Sequence, residues 1–151
     1  MKLGKTRTLR GQLTVAGNVG RLNLIASDGL VNYGLRIKRF TVWPENGWTG
    51  GSDNTFTAIL SLDTIIAGSN MNAGDNRQFA WTFSSVRAVL QQAVMNPVRE
   101  IIDPDHIVNR DLFLTMDNTT DGIFNYLIEA QVVELTDDEA IITIIKETSQ
   151  S

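Results

Sequence analysis

Strict alternation of apolar and polar residues is the feature that most constrains the fold of this chain. In residues 55–62 an apolar side chain falls on every second position, and the same spacing recurs in residues 112–116 and 124–132. Successive side chains of a β-strand point to opposite faces, so this spacing predicts strands with one face in a core. The positions predicted to face that core are Phe56, Ala58, Leu60, Leu62, Leu112, Leu114, Met116, Phe124, Tyr126, Ile128, Ala130 and Val132.

Polar segments rich in glycine separate about eight segments of this kind, which is the spacing of a β-sandwich. Residues 45–54 and 67–76 are the two longest polar loops. The last two alternating runs, near residues 112–116 and 124–132, are joined by a glycine-containing turn, which predicts a β-hairpin. We therefore expect an all-β, antiparallel β-sandwich.

Two segments depart from simple alternation. Between Ile37 and Phe40 the apolar positions change parity, which indicates a β-bulge or an element contacted on both faces. Residues 84–96 fit either a short helix or a strand rich in valine, and we favour one short helix near residues 85–95 because Pro97 would end it.

Three aromatic residues lie two apart in the segment before that helix. The spacing puts them on one face of a strand, and we expect them in the sandwich core rather than on a ligand platform. They are Phe79, Trp81 and Phe83.

The C-terminal segment carries a helix start signal. Thr136 and Glu139 have the spacing of a capping box, in which each side chain bonds the other residue's backbone N–H. The predicted helix spans residues 136–148. Many β-branched residues form a helix poorly alone, so we expect packing on the domain or on a neighbouring subunit. Its predicted apolar side is Ala140, Ile141, Ile144 and Ile145.

At 151 residues the chain has the length of one domain. We divide it into an extended N-terminal arm (1–12), the sandwich (13–135) and the helix (136–148). No apolar run approaches the roughly 18 residues that cross a bilayer, so we expect no membrane partner.

Charge is distributed unevenly along the chain. Residues 1–40 hold eight basic residues and one acidic residue, whereas the other 111 residues hold five basic and sixteen acidic ones. Two interpretations fit: copies that meet front to rear, or an N-terminal strand with a solvated polar face. Nucleic acid is a lesser alternative, because no aromatic residue precedes Tyr33 to stack on bases.

The residues that would support catalysis are scarce. The chain has no cysteine and one histidine, His106, and it contains no nucleophile-elbow, P-loop or dinucleotide-binding motif. We therefore expect no catalytic residues, no cofactor and no enzyme activity. A general acid or base role for His106 is conceivable, and carboxylates acting in glycoside hydrolysis are the other enzyme alternative.

Two acidic segments resemble metal loops without completing one. The group Asp103, Asp105, His106 and Asp111 lacks a full ligand set. The segment from Asp117 to Gly122 begins like a calcium loop, but its twelfth position is Ile128 instead of the glutamate that such a loop requires. We expect turns and no metal site.

Trp48 lies in the middle of a polar loop, where a tryptophan has three plausible roles. It can stack on a sugar ring or base, anchor a subunit contact, or fold back over the edge of the sandwich.

Several strings resemble small virion structural proteins of marine bacteriophages. They are IDPDHIVNRDLFL, FNYLIEAQVVELTDDEAIITIIKE, the run from Asp75 to Trp81, and Asp28-Gly29 with Gly34. The resemblance covers roughly residues 28–148. It implies a sandwich or jelly-roll-like subunit that assembles into a capsid shell or its decoration.

These observations together predict a structural protein located in the virion, a homo-oligomer that also contacts other virion proteins. The alternative is a carbohydrate-binding sandwich, a receptor-binding or tail module that holds a glycan with Trp48 and Trp43. The residues predicted at subunit interfaces are Lys5, Arg7, Arg10, Leu13, Trp48, Ile141, Ile144 and Ile145.

Overall fold

The computed structural model describes residues 2–24, 33–45, 54–65, 70–89, 92–119 and 122–149. Within these residues it contains nine strands and one helix. In chain order they are β1 (Lys2–Val15), β2 (Val19–Leu24), β3 (Tyr33–Pro44), β4 (Asn54–Ser61), β5 (Gln78–Val89), β6 (Gln92–Met95), β7 (Arg99–Ile102), β8 (Leu112–Asn118), β9 (Gly122–Glu134) and α1 (Asp137–Ser149).

The strands pair in a nested, antiparallel pattern. β1, the first strand, pairs with β9, the last one. Inside this pair, β2 pairs with β8, and at the centre of the pattern β4 pairs with β5. β3 also follows this pattern: its residue Leu35 exchanges backbone hydrogen bonds of 2.7 and 2.8 Å with Val108, which lies between β7 and β8. This nesting is the wrapping of a jelly roll, so the predicted jelly-roll-like, all-β sandwich is confirmed.

Nesting divides the strands between two sheets. The smaller sheet has the order β1-β9-β3, and the larger one has the order β2-β8-β4-β5-β6, with β7 also paired to β5. The side chains predicted from alternation meet between the sheets, where Phe56 of β4 packs on Phe124 of β9 with ring centroids 5.8 Å apart. Of that predicted set, Val132 alone is half-buried, and the others are buried.

Two bulges change which residues face the core. The register of β3 shifts between Ile37 and Arg39, which confirms the bulge predicted there. In β5, Ala80 pairs with Leu60 whereas Gln78 pairs with Ser61, so Phe79 is the extra residue. A bulge reverses the alternation beyond it. Phe79 is therefore buried, as predicted.

The same bulge makes the prediction for the other two aromatic residues of β5 wrong. Ala80 and Thr82 point into the core, and Trp81 and Phe83 are half-buried on the outer face of the larger sheet. The indole N–H of Trp81 donates to Gln78 Oε1 at 2.8 Å.

The helix predicted near residues 85–95 is also wrong. That segment forms the end of β5 and all of β6, which pair with each other from Val86 opposite Met95 to Val89 opposite Gln92. Valine favours strands because its branched Cβ packs well on a pleated surface. In this segment that preference prevailed over the helical spacing of the apolar residues.

The hairpin predicted between β8 and β9 does not form. β8 pairs with β2 and β4 in the larger sheet, whereas β9 lies between β1 and β3 in the smaller one. The chain therefore passes from the larger sheet to the smaller one between β8 and β9. Alternation identifies both strands but carries no information about which strand each one pairs with.

The predicted N-terminal arm is extended but belongs to the sandwich. From Lys2 to Gln12 the chain forms most of β1 and pairs with β9 of the same molecule, with an irregularity between Leu3 and Thr6. Most of its side chains are exposed because β1 is an edge strand. The turn after it uses Gly17 and Asn18, both with positive φ (62° and 67°).

A loop covers part of the outer face of the larger sheet. Ile59 and Thr115, which are neighbours on that face, are fully buried. Arg21 Nε donates to the carbonyl of Ile65 at 3.2 Å and ties the segment after β4 to the sheet. Within the described residues, no helix combines the length and apolarity needed to cross a membrane.

Candidate functional site

The three basic residues predicted at an interface all lie on β1. Lys5, Arg7 and Arg10 are exposed. β1 forms one edge of the smaller sheet, so these cations line a free strand edge in the described part of the chain. Lysine and arginine on such an edge discourage unselective strand pairing and favour partners that carry negative charge.

Helix α1 begins with the predicted capping box. Thr136 N–H donates to Glu139 Oε1 at 3.1 Å, and Glu139 N–H donates to Thr136 Oγ1 at 3.3 Å. Asp137 and Asp138 add negative charge in the first turn, where the helix dipole is positive. The result is a rigid, acidic helix start directly after β9.

One small cluster holds this helix to the domain. Ala140 is 2% exposed and packs with Val133 and Leu135, and Ile107 contacts the same cluster. Val133 has the parity of residues on the outer face of the smaller sheet, so α1 covers one end of that face. Among the described side chains of the helix, from Asp137 to Thr143, Ala140 alone is buried.

Large aliphatic side chains remain in solvent around this attachment. Ile141 and Ile142 directly follow Ala140, and Leu3 lies opposite Val133 on β1; each of the three is 55% exposed. We call these three residues the helix-end patch. Soluble monomers expose isolated apolar residues often but groups of them seldom, so the patch is a candidate contact surface.

The remaining predicted interface residues have different outcomes. Leu13 is 5% exposed and lies in the core, because it shares the inward face of β1 with Val15; it is not available to a partner. Ile141 is 55% exposed, so it remains a predicted interface residue, whereas Ala140 of the same predicted apolar side packs on the domain. Ile144 and Ile145 lie within α1, but their side chains and Trp48 fall outside the described residues.

A concavity lies at the opposite end of the same outer face. It has a volume of about 400 Å³ and is lined by Arg10, Gly11, Gln12, Trp43, Asn125, Tyr126 and Leu127. We call it the Trp43 concavity. Gln12, Asn125 and Trp43 form one cross-strand row, because Asn125 of β9 pairs with Gln12 on one side and Trp43 on the other.

Amide groups in this row hold one another in place. Gln12 Nε2 donates to Asn125 Oδ1 at 3.0 Å and lies 3.4 Å from Glu45 Oε1. Trp43 as a whole residue is 40% exposed. Beneath the row, a Cβ at Gly11 would lie 2.8 Å from the Tyr126 hydroxyl, so glycine leaves room for that phenol. Burial raises the pKa of Tyr126.

A second concavity, of about 290 Å³, lies on the outer face of the larger sheet around Phe83 and Arg99. Its polar groups are only partly engaged, because the buried Thr57 Oγ1 that lines it has no hydrogen-bond partner among the described residues. Asn96 Nδ2 donates to Ser85 Oγ at 2.6 Å. Phe83, the aromatic residue of this concavity, is half-buried. Of the two, the Trp43 concavity has the larger volume and the more exposed aromatic residue.

The acidic and histidine residues considered as metal ligands have structural roles. Asp103 accepts the N–H of Asp105 at 3.0 Å in a turn, and His106 stacks on Phe79 with ring centroids 4.6 Å apart. Among the described residues, no group of three or more histidine, aspartate or glutamate side chains is placed to hold a metal ion.

The run from Asp75 to Trp81 orders the loop before β5. Arg77 donates two hydrogen bonds to the Asp75 carboxylate, from Nε at 3.0 Å and from Nη2 at 2.8 Å. This hydrogen-bonded arginine holds the pKa of Asp75 below its ordinary value.

Sequence reasoning named Trp43 but not its neighbours. After the bulge in β3, Phe40 and Val42 point inward, so alternation alone places Trp43 outward. Gln12 and Asn125 join it through pairing between β1, β9 and β3, which no local pattern encodes. No known protein-family model and no curated protein matches this chain.

Proposed function

We propose that the protein is a structural subunit of a bacteriophage virion, which assembles with copies of itself to form the capsid shell or to decorate it. The helix-end patch carries the proposal. It presents three aliphatic side chains, each 55% exposed: Leu3 on β1, and Ile141 and Ile142 on a helix in which Ala140 is the one buried side chain between Asp137 and Thr143. The jelly roll agrees with this role, since capsid subunits use it, although lectins and cupins use it too.

Charge beside the patch favours a second copy as the partner. Lys2 and Lys5 flank Leu3 on β1, whereas Asp137 and Asp138 lie just before the exposed isoleucines on α1. A two-fold interface brings the same surface of both copies together. The basic strand start of one copy then faces the acidic helix start of the other, which agrees with the uneven charge along the chain.

The size of the patch sets the expected strength of association. Fully burying a leucine or isoleucine contributes about 1.5–3 kcal/mol, so covering the exposed half contributes about 1 kcal/mol or somewhat more. A two-fold contact uses the patch twice, for a gross gain of about 6–9 kcal/mol. Association itself costs about 4–15 kcal/mol. Dimers should therefore be weak, and assembly should need high protein concentration or several cooperating contacts.

The test compares two isoleucine-to-aspartate substitutions with matched exposure. Ile142 is 55% exposed in the patch, and Ile101 is 53% exposed on β7 of the larger sheet. Light scattering during size-exclusion chromatography and negative-stain electron microscopy would follow assembly over a concentration series. Wild type and Ile101→Asp should form particles or larger oligomers, whereas Ile142→Asp should stay monomeric and folded. Wild-type protein that stays monomeric throughout, or an Ile142→Asp variant that assembles normally, would overturn the proposal.

A further inference from the structure

The exposed ring of Trp43 is the starting point for a second surface function. Pairing in β3 fixes the indole on the outer face of the smaller sheet, where 40% of the residue remains in solvent. Aromatic rings in such positions have an apolar face and a polar edge. The C–H face of a pyranose ring packs on this kind of surface and leaves its hydroxyl groups at the periphery.

Hydrogen-bonding groups lie in the same cross-strand row as Trp43. Gln12 Nε2 is directed to Asn125 and Glu45, which leaves Gln12 Oε1, Asn125 Nδ2 and the second Glu45 oxygen for a ligand. Together they offer one donor group and two acceptors. Sugar hydroxyls both donate and accept, so a mixed set of this kind suits them.

Arg10 adds a positive charge at one corner of the concavity. It lies two residues before Gln12 on β1 and therefore on the same face. Trp43 is two strands away across the sheet and two residues away along it, a backbone separation of about 12 Å that the two side chains and one sugar ring can bridge. Guanidinium groups bind carboxylates with two parallel hydrogen bonds.

The volume of the concavity and its single exposed aromatic ring narrow the class of ligand that it can bind. About 400 Å³ falls in the range of small-molecule sites. Single-stranded nucleic acid is recognised by several stacking rings along a basic groove. Of the two aromatic residues that line the concavity, Tyr126 is buried, so one exposed ring, that of Trp43, is available for stacking in the described part of the chain.

We propose that the Trp43 concavity binds a uronic acid, a pyranose whose carboxylate is held by Arg10 while its ring stacks on Trp43. This function goes beyond subunit assembly and does not depend on it, because the concavity and the helix-end patch lie at opposite ends of the sheet face. A virion surface that attaches to glycans would use both the Trp43 concavity and the helix-end patch.

The test follows the three tryptophan indole N–H signals in ¹H–¹⁵N spectra of the full chain. The probes are methyl β-glucuronide and methyl β-glucoside, which differ in the carboxylate, and an oligothymidylate. Trp43→Phe assigns its signal. The glucuronide should shift the Trp43 signal and leave that of Trp81, which donates to Gln78, in place. The glucoside should bind about tenfold more weakly, as expected for loss of one charge-assisted contact.

Two substitutions separate the parts of the site. Arg10→Gln should weaken glucuronide binding about tenfold and leave glucoside binding unchanged. Trp43→Ala should weaken both sugars about tenfold. Any of four results would overturn the proposal. They are equal binding of the two sugars, a shift of the Trp48 signal instead of the Trp43 signal, a response to oligothymidylate alone, and no shift with any probe. If Trp43→Phe fails to fold, Trp48→Phe and Trp81→Phe assign the other two indole signals, and the wild-type spectra then decide.

Discussion

Gly34 should tolerate a side chain poorly, because it lies next to the backbone hydrogen bonds between Leu35 and Val108. A Cβ at this position would lie 2.5 Å from Ile107 Cγ2 and 3.2 Å from the Val108 carbonyl oxygen. The adjacent Leu35 makes both backbone hydrogen bonds to Val108. Gly34→Ala must therefore either push Ile107 aside or strain these hydrogen bonds.

Overpacking of this kind costs about 1–3 kcal/mol. For a chain of this size each kcal/mol lowers the melting temperature by about 2–4 °C, so we expect a decrease of about 2–12 °C. Urea unfolding followed by circular dichroism, at concentrations where the protein is monomeric, would give the free energy directly.

Gly122→Ala is the matched control for Gly34→Ala. Gly122 begins β9, and its Cβ would have no heavy atom within 4 Å. It should change the free energy of unfolding by less than about 0.5 kcal/mol. In an Ile107→Ala background, which removes the clashing methyl group, Gly34→Ala should cost less than in wild type. Equal costs for the two glycine substitutions would refute the close approach of β3 to Val108.

Two further predictions concern the core and the loop before β5. Leu13→Asp should unfold the protein, because it places a charge in the core at a cost above about 3 kcal/mol. Thr14→Asp, on the exposed face, should leave it folded. A Leu13→Asp protein that folds but does not assemble would contradict the buried position of Leu13. The Arg77 hydrogen bonds lower the pKa of Asp75 in the folded protein. The Asp75–Arg77 interaction therefore stabilises the fold above the pKa that Asp75 has in the unfolded chain, near 4, and this stabilisation is lost as the pH falls through the lower pKa of the folded state. Melting curves between pH 7 and strong acid should show wild type losing stability relative to Asp75→Asn, a trend that Arg77→Gln should abolish.

Local patterns in the sequence predicted those parts of the fold that depend on local physics. Alternation found the core faces of β4, β8 and β9, a change of parity found the bulge after Ile37, and a capping box found the start of α1. Each of these signals reports a conformational preference within a few residues of itself.

Features set by pairing between distant strands could not be read in the same way. The bulge at Phe79 reversed the outward and inward faces of Trp81 and Phe83, and only the register with β4 reveals it. The separation of β8 and β9 into different sheets likewise depends on the nested pairing. For the candidate sites, exposure of Ile141 follows from how Ala140 packs on Val133, a tertiary contact without a sequence signature.

Cross-linking between differently labelled copies tests the central claim, self-assembly through the helix-end patch, most directly. Equal amounts of ¹⁴N- and ¹⁵N-labelled chains would be assembled together and treated with a carbodiimide, which joins lysines to carboxylates in contact. Mass spectrometry separates links between copies from links within one. We predict links between copies that join Lys2 or Lys5 to Asp137 or Asp138. Links between copies that involve Lys38 of β3 and leave the helix start unmodified would contradict the account.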